Sequence, residues 1–256
     1  MNIKILGAHN CESQNTRFTT LLVDETLALD AGGLVASLTF SAQQKLKAVL
    51  LTHQHYDHTK DIPSLAMDLY LSKGTIDIYS TLPVYNSLAE HLFDGDLYPN
   101  FLEFPRENPV IKYTVLEPLQ ARQIEAYSVL PLPVKHSTPT VGYQVTSSDD
   151  KVMFYTGDTG MGLKDCWEQI SPQLLIIELT SSNRFEGPSL EKGHLTPDLL
   201  KHELINFREI KNYLPQIVTV HMDPFLEEEI KAEISDVAKE LGHPITLGCE
   251  GMELNL

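Results

Sequence analysis

The chain has 256 residues, 42% of them hydrophobic, which is enough for one α/β domain with a substantial core spanning residues 1–256. Its formal net charge is -16 at pH 7, so a long nucleic-acid backbone would be repelled unless a basic patch intervened, and the sequence contains no such patch. It has three widely spaced cysteines, no cationic apolar leader and no apolar run near the roughly 20 residues of a membrane span. We therefore expect a cytoplasmic protein and exclude membrane insertion, a disulfide scaffold and tight binding of long nucleic acids.

Apolar runs and turn residues predict a strand meander followed by strand–helix alternation in the first part of the chain. The predicted elements are strands at 3–6, 19–24, 27–31 and 48–51, and helices at 34–45 and 61–71. The first three strands should form an antiparallel meander with Asp24 and Glu25 at one turn. Pro63 suits the first turn of its helix, where a backbone N–H has no intrahelical partner.

The strand at 48–51 leads directly into a loop rich in metal-binding side chains. Three histidines and one aspartate follow in the order H-x-H-x-D-H: His53, His55, Asp57 and His58. Imidazole nitrogens and carboxylate oxygens are the usual ligands of zinc and neighbouring transition metals, and four of them this close together are rarely explained by packing. The alternative is a polar surface loop, but the apolar strand that precedes it favours a rigidly held metal site.

Residues 93–106 interrupt the regular alternation. The segment is rich in aromatic residues and is broken by proline and glycine, so no regular helix is expected there. Its aromatic side chains could form a lid that stacks on a bound ring, or they could pack in a homodimer interface or in the core. We favour the interface or core packing, because aromatic and arginine residues are enriched at protein interfaces.

The second part of the chain again predicts alternating strands and helices. Its strands are expected at 113–115, 126–134 and 174–177, with a hairpin at roughly 141–155 and a closing hairpin of 245–247 and 252–254. Its helices are expected after Gly157-Asp158, after Thr196, and over 224–241. Periodicity alone predicts a mixed α/β protein.

Further candidate ligands follow apolar runs in this second part. His136, Asp158 and His221 each come after such a run, so three separate strands would bring one ligand each to the same sheet edge. Each is weak evidence alone, since Gly-Asp-Thr is usually a turn and a histidine after a strand is usually a satisfied polar residue. Their order and placement together favour a shared site. The histidines without a ligand-like context are His9, His91, His202 and His243.

The ordered set H-x-H-x-D-H, histidine, Gly-Asp and histidine resembles the metallo-β-lactamase superfamily over nearly the whole chain. The resemblance implies an α/β fold of the four-layer αβ/βα sandwich type and a site for two divalent metal ions. It places His53, His55 and His136 on one ion, Asp57, His58 and His221 on the other, and Asp158 between them as a bridge. Zinc is the first expectation, with manganese and iron left open because these ligand types suit all three.

A second pair of motifs is similar to tRNase Z and to the class II cyclic nucleotide phosphodiesterases. Glu178 ends a strand in Glu-Leu-Thr, and His194 lies in Gly-His-Leu-Thr-Pro before a predicted helix. The resemblance implies that Glu178 supports His194, which acts on the leaving oxygen. Ile177 and Leu195 stand where tRNase Z usually has histidine and serine, and the basic arm of that family is replaced by a short hairpin. The plainer alternative is a solvated strand end and a histidine that merely precedes a helix.

The expected activity is that of a dinuclear metal-dependent phosphodiesterase acting on a small phosphodiester, foremost a 3′,5′-cyclic nucleotide. A hydroxide supplied by the two metals would attack phosphorus, Asp57 would orient or deprotonate the nucleophile, and His194 would protonate the departing ribose oxygen. The alternatives are a tRNase Z-like ribonuclease, a lactonase or thioesterase of the same fold, and a metal-binding protein without catalysis. The sequence leaves the native metal, the base specificity and the oligomeric state open.

Overall fold

Fourteen strands form two seven-stranded sheets in the computed structural model, which describes residues 1–256. The strands are β1 (Asn2–Gly7), β2 (Thr20–Val23), β3 (Leu27–Leu29), β4 (Ala48–Leu50), β5 (Ile76–Ser80), β6 (Ile111–Val115), β7 (Arg122–Ile124), β8 (Tyr127–Val134), β9 (Thr140–Thr146), β10 (Val152–Tyr155), β11 (Leu174–Glu178), β12 (Gln216–Val220), β13 (Ile245–Leu247) and β14 (Glu253–Asn255). The first sheet has the order β14-β1-β2-β3-β4-β5-β6, and the second has the order β13-β12-β11-β10-β9-β8-β7. The first and last strands of the chain therefore lie side by side.

Nine α-helices and one 3₁₀ helix at Asn183–Phe185 connect the strands. The α-helices are α1 (Leu34–Ser37), α2 (Phe40–Gln43), α3 (Tyr56–Thr59), α4 (Ile62–Leu71), α5 (Leu82–His91), α6 (Lys164–Gln169), α7 (Glu186–Lys192), α8 (Pro197–Lys211) and α9 (Glu227–Leu241). None of these helices combines the length and the apolar character that crossing a membrane requires.

Three hydrophobic clusters show how the sheets and helices are layered. Ile5, Leu50 and Tyr143 belong to a core that lies between the two sheets. Val49 points to the opposite face of β4, as the two-residue period of a strand requires, and packs with α4 and α5 outside the first sheet. Trp167 of α6 belongs to the third cluster, which covers the outer face of the second sheet together with α8 and α9. The layers are helix, sheet, sheet and helix, so the predicted four-layer αβ/βα sandwich is confirmed.

The parallel strands of each sheet end at the functional loops. β3 to β6 run parallel in the first sheet, and β10 to β13 run parallel in the second. The carboxyl ends of such strands share one edge, where loops can carry functional side chains on a rigid frame. The H-x-H-x-D-H loop follows β4, while Asp158 follows β10 and His221 follows β12.

The predicted antiparallel meander is confirmed by β1, β2 and β3. Asp24 and Glu25 both have positive φ, 44° and 59°, as the tight hairpin turn between β2 and β3 requires. The helix expected at 61–71 is present as α4, with Asp61 at its N-cap and Pro63 in its first turn.

The prediction of one long helix at 34–45 is wrong, because two four-residue helices, α1 and α2, occupy this range. Leu38 is extended between them, and the Thr39 side chain caps α2 by accepting a hydrogen bond from the Ala42 N–H.

The helix expected directly after Gly157-Asp158 begins only at Lys164. The N–H groups of Thr159 and Gly160 bond instead to Glu178 and to the Lys135 carbonyl, which holds this segment as a loop.

The prediction of a closing hairpin is also wrong, because the two strands in question belong to different sheets. β13 pairs parallel with β12 in the second sheet, whereas β14 pairs antiparallel with β1 in the first. The connection crosses between the sheets, with the Gly248 N–H bonded to the Thr219 carbonyl and the Gly251 N–H bonded to the Ile5 carbonyl. The sequence pattern of a strand predicts that the strand pairs with a neighbour, but it does not predict which sheet the strand joins.

Core packing accounts for two aromatic residues of the segment 93–106. Phe93 and Phe101 are fully buried in the cluster outside the first sheet, together with α4 and α5. Leu97, between them, is 87% exposed. Packing against the helices therefore holds this segment in place at Phe93 and Phe101, and a homodimer remains a prediction.

Candidate metal centre and proton donor

The H-x-H-x-D-H loop consists of a strand end followed by a one-turn helix. β4 ends at Leu50, and α3 begins directly after His55. Asp57 and His58 lie on α3, whereas His53 and His55 lie in the extended stretch that precedes it. This change of backbone direction lets one short loop supply ligand atoms to two neighbouring sets.

The first set consists of His53, His55, His136 and Asp158, whose potential ligand atoms lie within 4.8 Å of one another. His136 Nε2 is 3.2 Å from His55 Nδ1, and Asp158 Oδ2 is 3.8 Å from His136 Nε2. Asp158 Oδ2 is also 3.8 Å from His53 Nε2. Ligand atoms at about 2.0–2.1 Å from a tetrahedral zinc ion are about 3.4 Å apart, so these spacings suit coordination to one centre.

The second set consists of Asp57, His58, Asp158 and His221, again within 4.8 Å. Asp158 Oδ1 lies 3.2 Å from His58 Nε2, and its Oδ2 lies 3.4 Å from His221 Nε2. Asp57 Oδ2 lies 3.3 Å from His221 Nε2. Asp158 belongs to both sets, as a bridging carboxylate must. The structure thus brings together all seven residues that the sequence nominated as ligands.

Three buried polar atoms at the centre of these sets form no hydrogen bond of acceptable geometry: His53 Nε2, His58 Nε2 and Asp158 Oδ1, the last two of which lie 3.2 Å apart. A buried polar atom without a partner is costly, and a cation within each set would satisfy these atoms. A third close set of Glu178, His194 and His221 differs, because Glu178 and His194 are hydrogen-bonded to each other at 3.0 Å. The residues present therefore fit divalent metal ions in the first two sets.

Four of the five candidate-ligand histidines have their remaining ring nitrogen hydrogen-bonded. The pairs are His53 Nδ1 with Thr52 Oγ1 at 2.9 Å, His58 Nδ1 with Asp30 Oδ2 at 2.8 Å, His136 Nδ1 with the Gly193 carbonyl at 3.0 Å, and His221 Nδ1 with Thr180 Oγ1 at 2.9 Å. Such partners fix the tautomer and direct Nε2 towards a metal. In His55, Nδ1 is the atom that faces the first set.

The two sets differ in their electrostatics. Burial lowers the pKa of His53 well below its ordinary value, and burial also lowers the pKa of His55 and His136. These rings are therefore neutral, as metal coordination requires. In the second set, burial lowers the pKa of His58 by disfavouring its protonated ring. The carboxylates of Asp158 and Asp30 outweigh this effect and raise the pKa of His58 well above its ordinary value. A proton on His58 thus balances the carboxylates, and a divalent ion would displace it.

His194 and Glu178 form a pair beside the second set. Glu178 is fully buried at the end of β11, and its Oε1 lies 3.0 Å from His194 Nδ1. Burial lowers the pKa of His194, but the charge and hydrogen bond of Glu178 outweigh it and raise that pKa to about 9. Bound divalent ions would lower the pKa from this value, because like charges disfavour the protonated ring. The pair that the sequence predicted is therefore assembled, with the His194 ring stacked 5.5 Å from that of His221.

A family model described as the beta-lactamase superfamily domain matches residues 26–222. The chain belongs to this family. The match spans the candidate ligands from His53 to His221, and family membership supports a metal-dependent hydrolase. A search of curated protein sequences finds no significant match.

Solved structures confirm the metallo-β-lactamase fold of this beta-lactamase superfamily domain. Unliganded yeast PDE1 superposes with a TM-score of 0.84 at 17% identity, covering 100% of this chain and 99% of the other. The metallo-β-lactamase fold protein YhfI from Bacillus subtilis gives 0.77 at 18% identity, covering 99% of both chains. The short form of human tRNase Z, ELAC1, gives 0.73 at 17% identity, covering 100% of this chain and 99% of the other. At these identities the likeness establishes the fold alone.

Asp30 and Thr180 are among the residues that support the candidate metal sets of this beta-lactamase superfamily domain, and neither of them was identified from the sequence. Asp30 follows β3 and contacts His58, and Thr180 follows β11 and contacts His221. Asp30 carried the same signal as the ligands, a polar residue directly after an apolar run. Thr180 had no such signal, because its role depends on the residues that surround it in three dimensions.

Proposed function

We propose that this protein is a dinuclear metal-dependent phosphodiesterase, and that its substrate is a small phosphodiester, foremost a 3′,5′-cyclic nucleotide. The observation that carries the proposal is the 3.0 Å contact between His194 Nδ1 and Glu178 Oε1 beside the second metal set. A departing ribose oxygen is a poor leaving group and needs a proton, which a buried histidine–carboxylate pair can deliver. An idle metal-binding protein would have no use for such a pair.

The candidate ligands would hold two ions: His53, His55, His136, Asp57, His58, His221 and the shared Asp158. When bound, divalent ions supply a water of lowered pKa at neutral pH and neutralise charge on the phosphate oxygens. The side chain of Asp57 is 26% exposed, so its carboxylate can reach the attacking water and orient it or take its proton. Asp57 is the more accessible of the two aspartates, since the side chain of Asp158 is only 3% exposed.

The proton for the leaving group comes from His194. Glu178 Oε1 engages Nδ1 of His194, which leaves Nε2 as the nitrogen that exchanges its proton. A water that has given one proton to Asp57 or to the solvent bonds to phosphorus through its oxygen. The phosphorus–ribose oxygen bond then breaks, and the ribose oxygen takes the proton from His194 Nε2. A cyclic 3′,5′-phosphodiester would thereby open to a nucleoside monophosphate.

A small substrate is supported by charge and by the local architecture. The net charge of -16 opposes a long phosphate backbone. Between His136 and Asp158 the chain forms only the β9–β10 hairpin, without a projecting arm that could hold RNA. A lactonase or thioesterase would use the same metals, but its neutral ester would need less charge neutralisation at the site.

The proposal is tested by assaying the metal-loaded protein on 3′,5′-cyclic AMP, 3′,5′-cyclic GMP, a lactone, a thioester and a tRNA precursor. We expect the highest kcat/KM on a cyclic nucleotide, with a nucleoside monophosphate as the product. Asp158→Ala serves as the control for contaminating activity. Faster turnover of the lactone or thioester, release of a tRNA 3′ trailer, or no turnover with two ions bound would each contradict the proposal.

A further inference from the structure

Thr180 lies at the junction of the two loops that carry His194 and His221. Its N–H donates to the Leu195 carbonyl at 3.1 Å, and its own carbonyl accepts from the Asp223 N–H at 3.0 Å. The backbone of this single residue therefore joins the segment after His194 to the segment after His221. These bonds involve no side-chain atom of Thr180, so they survive substitutions of that side chain.

The Thr180 hydroxyl contacts three functional groups at once. Its Oγ1 lies 2.8 Å from Glu178 Oε2, 2.9 Å from His221 Nδ1 and 3.2 Å from His194 Nδ1. A hydroxyl has one proton to donate, and a carboxylate can only accept. The hydroxyl therefore donates to Glu178 and accepts from His221 Nδ1, while the His194 Nδ1 proton is shared between Glu178 and Thr180.

These hydrogen bonds set the orientation of His221, a candidate metal ligand whose backbone is strained. His221 has φ of 68°, a left-handed conformation that a non-glycine residue adopts only when its surroundings hold it there. With its proton on Nδ1, His221 presents the lone pair of Nε2 to Asp57 and Asp158, 3.3 and 3.4 Å away. Thr180 thus fixes both the tautomer and the direction of this ring.

Thr52 forms a matching arrangement in the first metal set. Its Oγ1 lies 2.9 Å from His53 Nδ1 and 3.0 Å from Asp30 Oδ2, so it too links a histidine to a buried carboxylate. The difference lies in what else the carboxylate touches. Asp30 also bonds to His58 and Tyr155, whereas Glu178 bonds to His194.

We propose that Thr180 is a positioning residue that couples the second metal set to the proton donor. Its hydroxyl orients His221 for metal binding by direct contact, and it orients His194 for proton transfer through Glu178. The part that concerns His194 rests on the proposed function, and the part that concerns His221 does not. Thr52 supplies a matched comparison, because its hydroxyl contacts His53 and the buried carboxylate of Asp30 but does not contact the proton donor.

The first arm of the test measures metal affinity without turnover. Metal-free wild type, Thr180→Val, Thr180→Ser and Thr52→Val are titrated with Zn²⁺ against a chromogenic chelator. We expect Thr180→Val to lose about 10-fold or more in affinity for one of the two ions, the usual effect of removing a hydrogen-bond partner of a metal-binding histidine. Thr180→Ser keeps the hydroxyl and should bind like wild type, and Thr52→Val should weaken the other ion.

The second arm measures leaving-group dependence at saturating metal. The substrates are a cyclic nucleotide, which releases an alkoxide, and methyl 4-nitrophenyl phosphate, which releases nitrophenolate without help. We expect Thr180→Val to reduce kcat on the cyclic nucleotide by about 10-fold more than on the nitrophenyl ester. Thr52→Val should reduce both equally, and in a His194→Ala background Thr180→Val should cause no further selective loss.

Each outcome bears on the inference. Unchanged metal affinity in Thr180→Val overturns the role towards His221, and equal losses on the two substrates overturn the role towards His194. An equal defect in Thr180→Ser would also overturn it, because packing and not the hydroxyl would then matter. If no phosphodiester is hydrolysed but Thr180→Val weakens one ion while Thr180→Ser does not, the proposed function fails and the role towards His221 stands.

Discussion

His58 Nδ1 lies 2.8 Å from Asp30 Oδ2, and both side chains are fully buried. The same carboxylate accepts hydrogen bonds from the Thr52 N–H and hydroxyl and from the Tyr155 hydroxyl. Asp30 therefore orients His58, a candidate ligand of the second set, directly, and it orients His53 of the first set through Thr52. A single buried aspartate outside both sets holds one histidine in each.

We expect Asp30→Asn to weaken binding of both metal ions by about 10- to 100-fold, as loss of such partners usually does. The substitution preserves size but removes a charge and replaces an acceptor oxygen with a donor nitrogen facing His58 or Thr52. Competition with a chelator of known affinity would measure the dissociation constants of both metal ions. The exposed Asp236→Asn provides a charge-matched control. Wild-type affinity in Asp30→Asn would show that the ligands are held by the loop backbone alone.

Asp158→Ala should leave fewer than two ions bound per chain, because Asp158 is the one residue that belongs to both metal sets. Its oxygens lie 3.2 Å from His58 Nε2 and 3.8 Å from His53 Nε2, so its loss opens both sets together. Metal content after gel filtration, measured by mass spectrometry, checks this. Two ions retained at wild-type affinity would remove the bridging assignment.

The sequence could identify the candidate ligands because each of them carries a local signal. His53, His55 and their neighbours are adjacent in one loop, and the later ligands each follow an apolar strand. The relationship between Asp30 and Thr52 spans 22 positions and exists only because β3 and β4 are parallel neighbours. The last two strands show the same limit, since their apolar pattern is identical whether they pair with each other or, as observed, with β12 and β1.

Structured RNA should bind weakly at physiological salt. Phosphate contacts supply most of the affinity for RNA, and a chain with a net charge of -16 starts with repulsion that grows as salt is lowered. A filter-binding titration with a tRNA precursor should give a dissociation constant weaker than about 1 μM, the tight end of non-specific binding. Lowering the salt should not strengthen it. Submicromolar binding would favour the tRNase Z-like alternative.

The stability of the metal-free protein should depend on pH through His9 and Glu250. His9 Nδ1 lies 2.7 Å from Glu250 Oε1, and Glu227 is the second carboxylate that faces the ring. Burial lowers the pKa of His9, but the two glutamates outweigh it and raise that pKa above its ordinary value of 6.5. Burial raises the pKa of Glu250, but the hydrogen bonds from His9 and from the Arg17 N–H outweigh it and lower that pKa below 4.5.

The ion pair therefore stabilises the fold most between pH 4.5 and 6.5, where Glu250 is charged and His9 is protonated even in the unfolded chain. Its contribution declines as pH rises through the raised pKa of His9, and again as pH falls through the lowered pKa of Glu250. His9→Gln should cost about 1.5–3 kcal/mol at pH 6, the range for a charged hydrogen bond, and less at pH 9. Urea unfolding at the two pH values measures this. An equal cost at both would show that His9 acts only as a neutral hydrogen-bond partner.

His194→Ala should retain both metal ions yet lose about 10²- to 10⁴-fold in turnover of a cyclic nucleotide, the range for a positioned proton donor. Its ring belongs to neither of the two metal sets and is held by Glu178 at 3.0 Å, so its loss should leave those ligands in place. On a 4-nitrophenyl phosphodiester the loss should be much smaller, because nitrophenolate departs without protonation. Steady-state kinetics on both substrates, with metal content measured in parallel, would test this.

His202→Ala is a suitable control for that experiment, since His202 is an exposed histidine on α8. It should match wild type on both substrates. If His194→Ala instead loses equally on both with its metals retained, His194 contributes by positioning the phosphate through its charge. If it loses on neither, the Glu178 contact serves to stabilise the loop at Gly193 and has no part in the reaction.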